Sequence, residues 1–136
     1  RGGLDFEYRF FDDDWGIESH TFQWEWYQKI GDVFTVRPSY RIYQQNQADF
    51  FYVDLDGTGI EPVESDTATA PYYSADYRLA RMRTQTFGLK AVAQLRDGLE
   101  CDVSWQRYEM TGEGNGALAA AFPSADILTI GGTWRF

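Results

Sequence analysis

Charged side chains recur at every second position along much of this chain: Asp5, Glu7 and Arg9, then Glu25 and Lys29, Arg37 and Arg41, Lys90 and Arg96, Glu100 and Asp102, and finally Arg135. Five of these are acids and seven are bases. Interleaved charges of both signs support two kinds of chemistry. Opposite charges on neighbouring strands form ion pairs that stabilise the pairing. Charges around a pore tune ion selectivity, and a selective pore carries an excess of one sign at its constriction. The near balance favours ion pairs, carried chiefly by Glu7, Arg9, Glu25, Arg37, Arg41, Lys90 and Asp102. Acid–base catalysis has little to work with. His20 is the single histidine. Its neighbour Ser19 would point to the opposite face of a strand, so the two do not form a nucleophile–base pair. The chain is read as carrying no catalytic residue and no resident cofactor.

A second concentration of chemistry is acidic. Asp12, Asp13, Asp14 and Glu18 form one cluster. Asp49, Asp54, Asp56, Glu61, Glu64, Asp66 and Asp76 form another, with no Lys or Arg between Gln44 and Tyr77. Asp54-Leu55-Asp56-Gly57-Thr58-Gly59 looks like half of a calcium loop, with Asp54 and Asp56 as the candidate metal ligands. The full loop needs a third Asp or Asn before its glycine and a Glu at its end. A solvated acidic loop is therefore the favoured reading.

The elements that position these groups follow a period of two, not 3.6. Leu4, Phe6, Tyr8 and Phe10 alternate with the charges of the first segment. Phe22, Trp24, Trp26 and Ile30 define a second strand, and Phe34, Val36, Tyr40 and Ile42 a third. Phe87, Leu89, Ala91, Ala93 and Leu95 define a fourth, starting near Tyr77. Leu99, Cys101, Val103 and Trp105 make the fifth, and Leu128, Ile130, Trp134 and Phe136 the sixth. Pro38 cannot donate to a ladder, so a bulge or a broken bond is expected there. Only Gly31-Asp32 separates strands two and three, and only Asp97-Gly98, a strong hairpin signal, separates four and five. The other links are long: roughly residues 12–19, 47–76 and 111–125. Short turns on one side and long loops on the other are the pattern of an outer-membrane barrel.

The expected fold is therefore all-β: an antiparallel up-and-down transmembrane β-barrel. Six strands lie in this chain, as one segment over residues 1–136 that forms the C-terminal part of a longer barrel. The external loop is about residues 47–76. A soluble barrel or sandwich also alternates, but its apolar face points inward and favours Leu, Val and Ile. Here that face is aromatic-heavy, in a chain that is 18% aromatic. The net charge of -9 disfavours nucleic acid as a partner. The single Cys101 excludes an internal disulfide, and its parity with Leu99 and Val103 makes it an apolar, lipid-facing position. No apolar run is long enough for a transmembrane helix.

The last eight residues, Thr129-Ile130-Gly131-Gly132-Thr133-Trp134-Arg135-Phe136, resemble the terminal β-signal read by the outer-membrane barrel assembly machinery. Thr129, Gly131, Trp134 and Phe136 fall on its fixed positions. The stretch from Tyr72 to Phe136 also resembles an uncharacterised family of predicted outer-membrane barrels, a domain of unknown function. Ser74-Ala75-Asp76-Tyr77-Arg78-Leu79, Thr86-Phe87-Gly88-Leu89-Lys90 and Pro123-Ser124-Ala125-Asp126-Ile127 carry it. The resemblance implies a barrel in the bacterial outer membrane. It implies no substrate and no catalytic residue.

Two functions follow as expectations. One is a non-conducting scaffold that presents long acidic loops to an extracellular or periplasmic protein partner. The other is a porin-like channel or transporter for a small solute. Balanced charge and the long loop favour the scaffold. Arg81, Arg83 and Arg107 lie on the apolar face near the loop end, where an arginine costs about 0–1 kcal/mol rather than the 2–4 of mid-membrane. They are the expected contact for outer-membrane lipid, specifically lipopolysaccharide phosphates. The competing reading pairs them with Glu109, Glu113 or loop aspartates.

Overall fold

The computed structural model describes residues 1–58, 73–114 and 121–135. Six strands run in chain order: β1 (Gly2–Asp12), β2 (Glu18–Ile30), β3 (Phe34–Gln45), β4 (Met82–Arg96), β5 (Leu99–Gly112) and β6 (Ser124–Trp134). They form one sheet, each strand paired antiparallel with the next, and β1 and β6 are its two edges. Alternation of large apolar and polar residues selects strands, because successive side chains of a pleated backbone leave on opposite faces. Among the described residues no helix is long and apolar enough to cross a membrane, which says nothing of crossing by strands.

Two expectations about boundaries need correction. The fourth strand starts at Met82, not near Tyr77. The Asp76 side chain accepts a hydrogen bond from the Arg78 backbone N–H and so caps a 3-10 turn over Tyr77–Leu79. A short acceptor side chain offers the backbone an alternative to the ladder. The link between β2 and β3 takes in Val33 as well as Gly31 and Asp32.

At Pro38 the ladder breaks without a bulge. Pairing of β2 with β3 runs from Ser19↔Gln45 to Glu25↔Ser39, skips Trp26 and Tyr27 opposite Pro38 and Arg37, and resumes in the same register at Gln28↔Val36. The missing proline N–H accounts for the gap. On its other side Pro38 still faces Leu89 of β4. The one register irregularity among these pairings lies between Gln94 and Arg96, which turns Arg96 to face Leu99. Arg96 was expected within the polar row and instead sits at this slip, beside the turn.

The sheet buries little of its own apolar face: Leu4 is 73% exposed and Ile130 78%. The buried apolar cluster lies in the connections instead. Ile17, Ala48, Phe51 and Ala80 form it, with Phe50, Leu79 and Phe122 packed against it. The buried strand residues beside it, Ser19, Gln45, Met82 and Thr84, all belong by register to the polar face. The loops thus fold over the polar face at one end of the strands.

Candidate functional site: a two-faced sheet with a loop cap

Cross-strand partners share a face, so the register defines rows running across the sheet. Phe10 pairs with His20, His20 with Gln44, Gln44 with Arg83, and Arg83 with Thr111. A lower row holds Phe6, Trp24, Tyr40, Phe87, Arg107 and Asp126. It begins on aromatics and ends on an ion pair. The apolar belt therefore runs obliquely. Its loop-end boundary is Phe10 on β1, Phe22 on β2, Ile42 on β3, Phe87 on β4, Trp105 on β5 and Leu128 on β6. The Phe10 row reaches β5 at Thr111, about six residues beyond Trp105. Against the lower row, the boundary stands four residues to the loop side on β1 (Phe10 against Phe6) and two residues to the other side on β6 (Leu128 against Asp126), a shift of about six residues over the five steps, about 1.2 per strand.

At the edge of the belt, the Tyr8 hydroxyl bonds the Nδ1 of His20 at 2.8 Å, and the His20 ring lies against Phe10. Ser19 is on the other face and buried. Ser19 and His20 therefore do not form a nucleophile–base pair with each other.

The polar face carries the expected ion pairs, though not as simple cross-strand partners. Arg37 donates from Nε to Glu25 Oε1 at 2.6 Å and from Nη2 to the Tyr27 hydroxyl at 3.0 Å. Its guanidinium sits 4.4 Å from the Tyr27 ring centroid. This triad bridges β2 and β3 at the rungs that Pro38 leaves unpaired, so side chains replace lost backbone bonds. Lys90 pairs with Asp102 at 3.2 Å across β4 and β5. Arg9 pairs with Glu7 of its own strand at 3.0 Å, largely exposed, where such a pair contributes little. Arg41 approaches the ring of Tyr43. Between these groups lies an open polar cavity of about 310 Å³ that includes Gln23, Ser39, Ser104 and Gln106.

The terminal motif lies mostly on β6. Thr129 faces Ser104, Gly131 faces Asp102, and Trp134 faces Leu99 on the apolar side. Phe136 lies outside the described residues. Gly131 has a local reason to be glycine: a Cβ there would stand 2.6 Å from Asp102 Oδ1, the carboxylate that Lys90 holds.

Asp54 Oδ1 accepts from the Asp56 N–H at 2.9 Å, so its carboxylate closes a turn with Asp56. Gly59, Glu61, Glu64 and Asp66 lie outside the described residues. Among the described residues no group of three or more His, Cys, Asp or Glu is placed to hold a metal ion.

Three residues near the loop end differ in their partners. Arg107 bonds Glu109 at 3.2 Å and Asp126 at 2.7 Å. Arg81 reaches Glu113 only at 4.0 Å. The Nε of Arg83 is buried and meets no acceptor among the described residues.

The cap is tied by backbone and amide bonds. The Ala48 N–H donates to Leu79 O, and Gln45 Nε2 donates to the carbonyls of Arg78 and Ala80. Asn46 accepts from the Glu18 N–H and donates to Gly16 O, joining the first and second loops. At the turn before β4, hydrogen bonds from the Arg78 side chain, and then from its backbone N–H, pull the Asp76 carboxyl down to about 2. A depressed folded pKa means the clamp is intact above the ordinary range and is lost as pH falls through about 2. Carbon-detected titration of Asp76 is expected to show its midpoint near 2. A midpoint near the ordinary value of about 4 would remove the clamp.

Residues 1–128 match the model of a family described as a protein of unknown function (DUF3570). The similarity thus covers the N-terminal half as well as the stretch after Tyr72. No curated protein and no solved structure matches the chain significantly.

Proposed function

This chain belongs to that family, and we propose that it is part of a β-barrel in the bacterial outer membrane, acting as a non-conducting scaffold whose acidic loops meet an extracellular protein partner. The oblique apolar belt carries the reading. A stagger of about 1.2 residues of ~3.3 Å against a strand spacing of ~4.8 Å corresponds to a tilt of about 40°. Strands of membrane barrels tilt by roughly 35–45°. A belt that is diagonal on the sheet becomes level when the strands take that tilt. Along β3 the belt runs from Phe34 to Ile42, about nine residues, enough for a tilted crossing. A soluble sheet has no need to level its apolar face. The edges β1 and β6 are unpaired, and six strands are fewer than the roughly eight of the smallest such barrels. Further strands are needed for closure, so this segment is part of a larger barrel.

The polar face becomes the lumen. The Arg37–Glu25 and Lys90–Asp102 pairs narrow it, and the cap of Ile17, Ala48, Phe51 and Ala80 covers its loop-end mouth. Both features favour a closed barrel. The open polar cavity beside Gln23 and Gln106 favours the channel reading. Planar-bilayer recording of the full-length protein separates the two. No steady current is expected. Stable open-channel steps at low voltage would replace the scaffold with the porin-like channel for a small solute.

A further inference from the structure

We infer that the loop-side rim of the apolar face, at His20, Gln44, Arg81 and Arg83, binds the phosphate group of a membrane lipid headgroup. This rests on the membrane reading and names a partner for it. His20 and Gln44 lie directly above the belt on β2 and β3; Arg83 shares their row on β4, four residues beyond Phe87, and Arg81 immediately precedes that strand. Membrane lipid phosphates lie at that level, just beyond the hydrocarbon. A cavity of about 240 Å³ opens there, lined by Glu18, His20, Gln44, Gln45, Asn46 and Arg81.

The cationic side chains at this end are not equivalent. Arg78 is held by Asp76, and Arg107 by Glu109 and Asp126. Arg107 therefore leaves the set of three expected from the sequence. Among the described residues Arg81 has one long ion pair, and Arg83 has a buried Nε–H without an acceptor. An unmet buried donor is costly, and a phosphate oxygen is the acceptor a guanidinium fork fits best. In a chain of net charge -9, two under-partnered arginines beyond the belt edge, one of them lining a polar cavity, point to an anionic ligand at that depth. Glu18 lines the same cavity, and Glu113 bonds Gln44. The assay therefore contains magnesium, which bridges carboxylate and phosphate oxygens.

Native mass spectrometry of the full-length protein in mild detergent, mixed with lipid A or with dephosphorylated lipid A, tests the site without any substitution. About tenfold weaker binding of the dephosphorylated lipid is expected. Arg81→Gln with Arg83→Gln is expected to lose the same preference, and Arg107→Gln to retain it. Equal binding of both lipids, or displacement of lipid A by an equal concentration of inorganic phosphate, would overturn the inference. Flotation with phosphatidylcholine vesicles is run in parallel. A protein that does not float with them overturns the membrane reading and this inference together; one that floats yet ignores the phosphate overturns this inference alone.

Discussion

Replacing Ala91 with arginine is expected to destabilise the protein in lipid vesicles by about 2–4 kcal/mol, whereas arginine at Gln85 is expected to cost only about 0–1 kcal/mol. Both positions lie on the apolar face of β4, facing Val103 and Glu109 of β5. Ala91 is at mid-belt, between Phe87 and Leu95, and Gln85 is just past the boundary. The contrast alone would fit any apolar patch. The oblique belt makes a sharper prediction within one row. Phe6 and Arg107 belong to the same row, yet Phe6 is inside the belt on β1 and Arg107 is outside it on β5. Phe6→Arg is therefore expected to cost close to the mid-membrane value, while a native arginine is tolerated in the same row. Denaturant unfolding into lipid-free solution reads each cost. Penalties that follow the rows rather than the diagonal would remove the tilt argument, and with it the chief support for a membrane barrel.

The two faces of this sheet were legible because their signal has period two and extends over whole strands. Every apolar residue named from Leu4 to Phe10, Phe22 to Ile30 and Phe34 to Ile42 shares one face in the register. The diagonal was not legible, since it needs the offset between strands. Turn lengths fix that offset only when both ends of each hairpin are known. The cap was invisible for a different reason. Ile17, Ala48, Phe51 and Ala80 come from separate connections and have no common period. Gln45 and Asn46 are the one signal for it in the sequence: an amide at a strand end has side-chain bonds to offer a loop backbone. The start of β4 was misread because the hydrophobic pattern continues through Tyr77 and Leu79. There a local bond, Asp76 to the Arg78 N–H, prevails over strand propensity.

The polar face shows the same division between pattern and contact. Alternation placed Glu25, Arg37, Lys90 and Asp102 together, but it could not rank the pairs. The structure does so through Pro38. At Arg37 the side chains of Glu25 and Tyr27 stand where two ladder rungs are missing. At Lys90 the ladder on both sides is continuous. The side chains of Arg37 and Glu25 are 28% and 20% exposed, so their pair is only partly screened by water. Arg37→Ala is therefore predicted to cost about 1.5–3 kcal/mol, the range for losing a hydrogen bond to a charged group. Among the described residues it also leaves the Glu25 carboxylate with only the 3.3 Å bond from Tyr27. Lys90→Ala removes a single contact from a more exposed ammonium and is predicted to cost about 0–1 kcal/mol. The exchange Glu25→Arg with Arg37→Glu tests the pairing itself. In a double-mutant cycle it is expected to recover about 1 kcal/mol or more relative to the sum of the single changes. A cycle that closes additively, with Arg37→Ala no worse than Lys90→Ala, would mean that Pro38 leaves the β2–β3 seam open. The triad would then be a surface ion pair rather than a clamp across the polar face.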